Sequence, residues 1–374
     1  IYYVGHVSST SGVGEAARGY IESIRKLGIN IEIYDLADSN WLISLLEDFS
    51  ENIPLCLILH ITANELVNLI KHHNETILYF KKFTWMIGVW AWESNMPSPD
   101  FDSAAPYLDE VWCISKYMEE ALSEIPLKTK VIPHCIQTSF NIGKICPVVL
   151  ELRHKYKFMA GYIMDLRSFS FRKNPMGVIS AFNSAFKNGE SACLLLKISG
   201  INEHRQEYQN LVDLASKCNN VFITDEIWSR EQISYFYNQI DVYVALFRSE
   251  GFGLTIAEAL SSGTPVVCPM YSGIVDFTYD APGVFYVESR EINIPYDWGP
   301  YKKGWKWADP NIDHASEIIK NIYDEKNSIP LQTRRLSKFK NKIATALKRK
   351  LSTDTVSDII RHDLRLISKK FGEH

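Results

Sequence analysis

The seven cysteines of this 374-residue chain are scattered, and no two of them make a Cys-x-x-Cys pair. That absence excludes a zinc finger or a disulfide framework and reads as a set of reduced thiols in the cytosol. Long apolar runs are also missing. The longest, Ile53 to Ile61, is far short of a bilayer span. No excess of positive charge is present: the net charge is −4, which gives no basic field for nucleic acid. The N-terminus opens on Ile1-Tyr2-Tyr3-Val4, without Met, basic stretch or signal peptide, and reads as cut from something longer. Nor does a paired aspartate of the D-x-D kind stand at a strand end, so no essential metal or other cofactor is expected.

What is present is an α/β pattern. With 46% hydrophobic and 22% charged residues the chain is ordinary globular material, and its length favours two domains. Short β-rich runs alternate with helical-period stretches, which implies βα units and parallel sheets. The spacing predicts strands at Tyr2–Val7, Ile29–Tyr34, Leu55–His60, Phe83–Trp90, Glu110–Ile114 and Val131–Pro133, with a helix over Glu15–Leu27. Leu55–Leu59 shows no polar alternation, as a strand buried on both faces requires. A second series starts near Tyr156, with strands at Phe158–Met164, Ala192–Ile198, Val221–Thr224, Val242–Leu246 and Pro265–Cys268 and helices at Pro175–Phe186 and Thr255–Ser262. A stretch without period, Gln137–Val149, separates the two. The expected domains are 1–140 and 150–350, with a helix over 351–374 returning to the first. Two Rossmann-like domains facing a cleft place ligands beyond the carboxyl ends of their strands.

Three constellations carry chemistry. Gly12-Val-Gly14-Glu-Ala-Ala17 fits G-x-G-x-x-A, and Asp35 stands about 20 residues on, as a dinucleotide fingerprint asks. However, Ser8–Ser11 intervene between the strand and the first glycine, so the loop is too long for that fingerprint. Contact with a phosphate or a sugar is the favoured use of its amides, with a bare tight turn and a dinucleotide site as alternatives. The second constellation, Arg248-Ser-Glu250-Gly251-Phe252-Gly253-Leu254-Thr255-Ile-Ala-Glu258, follows a buried strand. Its glycines allow a close turn into a helix whose first amides suit an anion. Glu258, on the helix, can accept from both hydroxyls of a ribose, while Glu250 lies on the loop nearer a reacting sugar. In the third, Arg167 and Lys173 flank a loop ahead of a helix that begins at Pro175, which suits a diphosphate; Arg172 is the ambiguous neighbour.

These motifs together resemble glycosyltransferase family 4, of the GT-B fold. Glu250–Glu258 is similar to its E-x7-E element, Arg167 and Lys173 to its Arg-x5-Lys pyrophosphate clamp, and Gly12–Gly14 to its N-terminal glycine loop. Asp109–Ser115, Val131–His134 and Trp307–Asp313 resemble further family segments. The resemblance implies retaining sugar transfer from a nucleotide sugar without a metal. It also implies donor contacts from Gly12, Gly14, Arg167, Lys173, Glu250, Gly251, Phe252, Gly253, Leu254, Thr255 and Glu258. Arg167, Lys173 and the loop amides would stabilise the departing phosphate, and Glu250 would hold hydroxyls of the transferred sugar.

There is one departure. Where many members carry a first-domain His, this chain reads Trp90-Ala-Trp92-Glu93, similar to a polysaccharide-assembly branch. Glu93 is then the expected catalytic or acceptor contact, and Trp90 and Trp92 an acceptor platform or core. The branch points to GDP-mannose, with UDP- and dTDP-sugars as alternatives, and to an oligosaccharide or lipid-linked glycan as acceptor. Residues 334–350 form a basic stretch with Leu336, Phe339, Ile343 and Leu347 at helical spacing. It is read first as a helix packed on its own domain, and second as a peripheral contact with the cytoplasmic face of the inner membrane. Competing classes are an NAD-dependent oxidoreductase using Gly12–Gly14 and a catalytically inactive glycan-binding module.

Overall fold

The structure, a computed structural model, describes residues 1–136, 144–186, 190–218, 220–328 and 333–372. The chain divides into two compact units. One comprises Ile1–Gln137, Ile294–Trp305 and Lys350–His374; the other comprises Thr138–Asn293 and Lys306–Arg349. The stretch 294–305 therefore leaves the span expected of the second domain. Part of the expected linker lies outside the described residues, and its end is already helical from Pro147.

In chain order, the first unit runs β1 (Tyr2–Gly5), α1 (Gly12–Arg25), β2 (Glu32–Asp35), α2 (Trp41–Glu51), β3 (Cys56–His60), α3 (Ala63–Phe83), β4 (Trp85–Trp90), α4 (Pro99–Ala104), β5 (Glu110–Cys113), α5 (Lys116–Ala121) and β6 (Lys128–Val131). Its sheet is parallel, in the order β2-β1-β3-β4-β5-β6. Every residue of β3 is buried between β1 and β4, which accounts for its unbroken apolar run. The direction of the order reverses between β1 and β3, so the chain leaving β1 borders a crevice at the carboxyl edge.

The second unit runs α6 (Pro147–Lys155), β7 (Phe158–Asp165), the one-turn α7 (Ser170–Lys173), α8 (Pro175–Ala185), β8 (Ala192–Ser199), α9 (Arg205–Ala215), β9 (Val221–Thr224), α10 (Arg230–Gln239), β10 (Val242–Val244), α11 (Leu254–Ser261), β11 (Val266–Pro269), α12 (Val275–Thr278), β12 (Val284–Val287), β13 (Ser289–Asn293), β14 (Lys306–Pro310), α13 (Ile312–Ser328) and α14 (Thr333–Leu351). Its six-stranded sheet has the order β12-β11-β10-β7-β8-β9, and β13 pairs with β14 as an antiparallel hairpin. Here the order reverses between β7 and β10. The loops that leave those two strands carry Arg167–Lys173 and Arg248–Gly253, the third and second sequence constellations respectively.

The last helix, α15 (Thr353–Gly372), belongs to the first unit. Val356, Ile360, Leu364 and Ile367 recur at helical spacing and join the core formed by Tyr3, Tyr20, Ile58, Val89 and Trp112. Polar ties fix its register. Ser357 Oγ donates to Ser23 O at 2.8 Å, and Trp112 Nε1 donates to Asp363 Oδ2 at 3.0 Å.

Beneath α15, Asp363 and Glu110 are both fully buried and share one cation, Lys128, which bonds Glu110 and lies 3.8 Å from Asp363. Burial, with the Asp363 charge added and Lys128 opposing, pushes the Glu110 carboxyl up from an ordinary 4.5 to about 7. The folded chain thus holds a proton that the unfolded chain releases near pH 4.5. Stability from this site is full below that pH and is lost as pH rises through about 7. The expected slope is at most about 1.4 kcal/mol per pH unit. Urea unfolding between pH 4.5 and 7.5 should show it, and Glu110→Gln should flatten it.

Candidate functional site

The loop after β7 has an unusual local course. Phe169 (φ 60°) and Asn174 (φ 54°) both take positive φ, and α7 is a single turn between them. Asn174 makes that bend useful. Its Nδ2 donates to Leu246 O at 2.8 Å, and its Oδ1 caps α8 by accepting from Gly177 N at 3.2 Å. The end of α7 is thereby tied to the strand end of β10.

This brings three charged groups together. Lys173 Nζ lies 2.5 Å from Glu250 Oε1, and Arg172 Nη1 lies 3.3 Å from Glu250 Oε2 while donating to Ser249 O at 2.8 Å. Arg172 is 3% exposed and Glu250 8%. Burial raises the Glu250 carboxyl, but Lys173 and then Arg172 outweigh it and hold the group below its ordinary range. Glu250 is therefore a fixed anion, suited to accept hydrogen bonds rather than to give a proton. Its main chain is equally fixed, with its N–H on Ser272 Oγ at 2.9 Å and its carbonyl accepting from Gly273 at 2.9 Å.

Gly251 and Phe252 are buried, and Phe252 packs on Phe277 with centroids 5.1 Å apart. Gly253 stands in the left-handed region (φ 87°) immediately before α11, and a Cβ there would lie 2.5 Å from Ile274 Cγ2. Leu254 and Thr255 open α11 one residue earlier than the expected helix start. Glu258 faces inward from it, 4% exposed, with Oε1 receiving Arg230 at 2.7 Å and Oε2 receiving the Tyr237 hydroxyl at 3.1 Å. Each carboxylate oxygen retains a further acceptor direction. Arg167 stands apart from this group. It makes three bonds to Asp165, of 2.9, 3.0 and 2.6 Å, and its side chain is 55% exposed.

In the first unit the glycines of the first loop prove to be helical: Gly12 and Gly14 form the first turn of α1. The loop His6–Ser11 folds back over that turn and is stapled by Arg18, which donates to Val7 O at 2.6 Å and to Ser9 O at 2.9 Å. Asp35 is engaged by the same loop. It accepts from Ser8 N at 2.7 Å and Ala37 N at 3.1 Å, and although burial raises its carboxyl, these amides leave it lowered. That corrects the dinucleotide alternative, in which Asp35 would hold a ribose: its carboxylate is a loop cap.

The aromatic platform also needs correction. Trp90 is 1% exposed and stacks on Phe101, with centroids 4.9 Å apart and planes 10° apart. Trp92 is 6% exposed, enclosed by Phe101, Tyr301 and Trp305, with Nε1 on Met96 O at 2.6 Å. Both rings are core: Trp90 is packed on Phe101, and Trp92 is covered by Tyr301 and Trp305 of the stretch 294–305. Glu93 is half-buried and accepts from the Tyr301 hydroxyl at 2.9 Å. His134 is buried against Tyr20 and His60, and burial pushes it down to about 3.

Sequence reasoning missed Arg230, Tyr237 and Tyr301, and preferred Arg167 to Arg172. Ser229-x-x-Gln232 marks the start of α10, which places Arg230 at a helix terminus. The contact of Tyr301 with Glu93, 208 positions away, has no local signal. Of the apolar stripe of α14, Ile343 and Leu347 are packed, 1% and 2% exposed, Phe339 is 38% exposed, and the Leu336 side chain lies outside the described residues. Lys338, Lys342 and Lys348 face solvent. No described helix is long and apolar enough to cross a membrane, and no group of three or more His, Cys, Asp or Glu among the described residues is placed to hold a metal.

Two parallel Rossmann-type sheets with these loops define the GT-B fold of glycosyltransferases. The Anabaena protein Alr3699/HepE in complex with UDP and glucose superposes with a TM-score of 0.64 at 12% identity, over 97% of this chain and 98% of that one. Residues 159–292 match the family model Glycosyl transferases group 1. Similar curated proteins are alpha-monoglucosyldiacylglycerol synthase of Streptococcus pneumoniae, 32% identical over 168 residues, and mannosylfructose-phosphate synthase of Agrobacterium fabrum, 25% identical over 166. The first match covers 43% of this chain and 37% of the relative, the second 42% and 36%. The matched region therefore spans little more than a third of either relative.

Proposed function

We propose that the protein is a retaining glycosyltransferase that moves a sugar from a nucleotide-sugar donor to a hydroxyl of a glycan or glycolipid. The observation that carries this reading is the Lys173–Glu250–Arg172 cluster at the carboxyl edge of the second sheet, where its strand order reverses. Donor diphosphate is met there by Lys173 and the first amides of α11, and from outside the cluster by the exposed Arg167, which together stabilise charge on the leaving group. The reading invokes no metal for that charge. Glu250 accepts from hydroxyls of the transferred sugar, and Glu258 accepts the ribose diol through its remaining acceptor directions. Gly12 and Gly14 offer amides to the donor, and Glu93 serves the acceptor. No covalent nucleophile is assigned, so direct front-side attack is the mechanism proposed.

For the donor, the polysaccharide-type Trp-x-Trp-Glu segment favours GDP-mannose. The ligands of the Anabaena neighbour, UDP and glucose, make UDP-glucose its competitor. A thermal-shift panel of GDP, UDP, dTDP and ADP separates them, since a ligand held 100-fold above its Kd stabilises by about 2.7 kcal/mol. Lys173→Ala and Glu258→Ala should each lower kcat/KM with the matching sugar nucleotide by about 10- to 100-fold, the loss of one charge-assisted bond. Near-normal values in both variants would defeat the assignment. Peripheral membrane contact is retained as attraction of the exposed α14 lysines to anionic lipid, with Phe339 exposed beside them, since Ile343 and Leu347 are packed. Such binding to anionic liposomes should vanish as salt is raised.

A further inference from the structure

Arg248 has no role in the proposed chemistry, yet it ties two separate elements together, α7 and β14. Its main-chain N–H donates to Arg172 O at 2.7 Å and its carbonyl accepts from Ala308 N of β14 at 3.0 Å. Its side chain donates through Nη1 to Phe171 O at 2.5 Å and through Nε to Asp309 Oδ1 at 3.0 Å. The guanidinium lies 4.0 Å from the Phe171 ring centroid, and that ring packs on Trp307. Phe171 O and Arg172 O are carbonyls of the one-turn helix α7, whose last residue is Lys173. Arg248 donates to both, and Asp309 fixes its guanidinium fork.

We infer that Arg248 is a positioning residue for the donor site: by binding Phe171 O through its side chain and Arg172 O through its main chain it sets where Lys173 meets Glu250, with Asp309 of β14 as the anchor of the side chain. The inference rests on the proposed role of Lys173 and deepens it. Lysine is not an adequate substitute, because a single ammonium does not stack on Phe171 while bonding Phe171 O and Asp309 together.

A double-mutant cycle tests this on the full chain. The probe is whichever of GDP, UDP, dTDP and ADP binds most tightly, with Kd measured by calorimetry. Lys173→Ala should weaken it about 10-fold or more, and Arg248→Met, which keeps the apolar stem, about 3- to 10-fold. If Arg248 acts through Lys173, adding R248M to K173A costs no more than about twofold further, and R248K recovers part of the single-variant loss. A merely structural role predicts instead that the two losses multiply, which would overturn the inference, as would an unchanged Kd in R248M. Should R248M not fold, D309N takes its place in the same cycle, with the same two outcomes. A loss in K173A without one in R248M overturns the positioning role alone. No loss in K173A overturns the underlying reading, and the inference with it.

Discussion

Glu250→Ala is expected to lower stability by roughly 3–5 kcal/mol in urea unfolding, because it leaves two enclosed cations without their counter-ion. Arg172 is 3% exposed and the Lys173 side chain 18%, so neither is compensated by water when the carboxylate is removed. Sugar transfer should fall by about 100-fold or more, the scale of losing a preorganised hydrogen-bonding group at the reacting centre. Affinity for a free nucleoside diphosphate should do the opposite. With Glu250 gone, Lys173 no longer has an internal partner at 2.5 Å, and an incoming diphosphate becomes its best anion. The diphosphate Kd is therefore expected to hold or tighten while turnover collapses. Parallel loss of both would show that the carboxylate, rather than the cations, organises the anion site.

Gly14→Ala is expected to cost more than about 4 kcal/mol, at the upper end of what single substitutions do. Helix propensity alone argues the reverse, because Ala in α1 gains about 1 kcal/mol over Gly. Sterics decide the sign. A Cβ at Gly14 would stand 2.1 Å from Ser9 O, 2.8 Å from Ser9 C and 2.9 Å from His6 O, all main-chain atoms. The loop is held down by two Arg18 bonds and does not simply move aside. Gly28→Ala is the matched control. Its φ is +71° but nothing lies within 4 Å of the added carbon, so only the left-handed cost of about 1–2 kcal/mol applies. Thermal or urea unfolding of both variants reads the difference, and equal small losses would mean that the His6–Ser11 loop gives way.

Much of this protein was legible in its residues alone. The parallel sheets followed from apolar runs without alternation, such as Leu55–Leu59, since a strand covered on both faces has no polar side. Gly251 to Gly253 marked the tight entry to α11 because only glycine takes φ 87° there without strain. The spacing of Glu250 and Glu258 placed one on the loop and one a turn into the helix, where both are found. These features are local: they depend on period, chirality and the chain's immediate neighbours.

Tertiary structure decided the rest. Sequence spacing favoured Arg167 over Arg172, but the positive φ of Phe169 and Asn174 turns Arg172 inward and leaves Arg167 on Asp165. Asp35, correctly spaced for a ribose, is used up by the amides of Ser8 and Ala37. Trp90 and Trp92 read equally as platform or core until Phe101 stacks on the first and the stretch 294–305, some 200 positions away, covers the second. In each case the pattern named residues able to do the chemistry. Which of them was already engaged depended on partners brought near by the fold, and a sequence carries no local record of those.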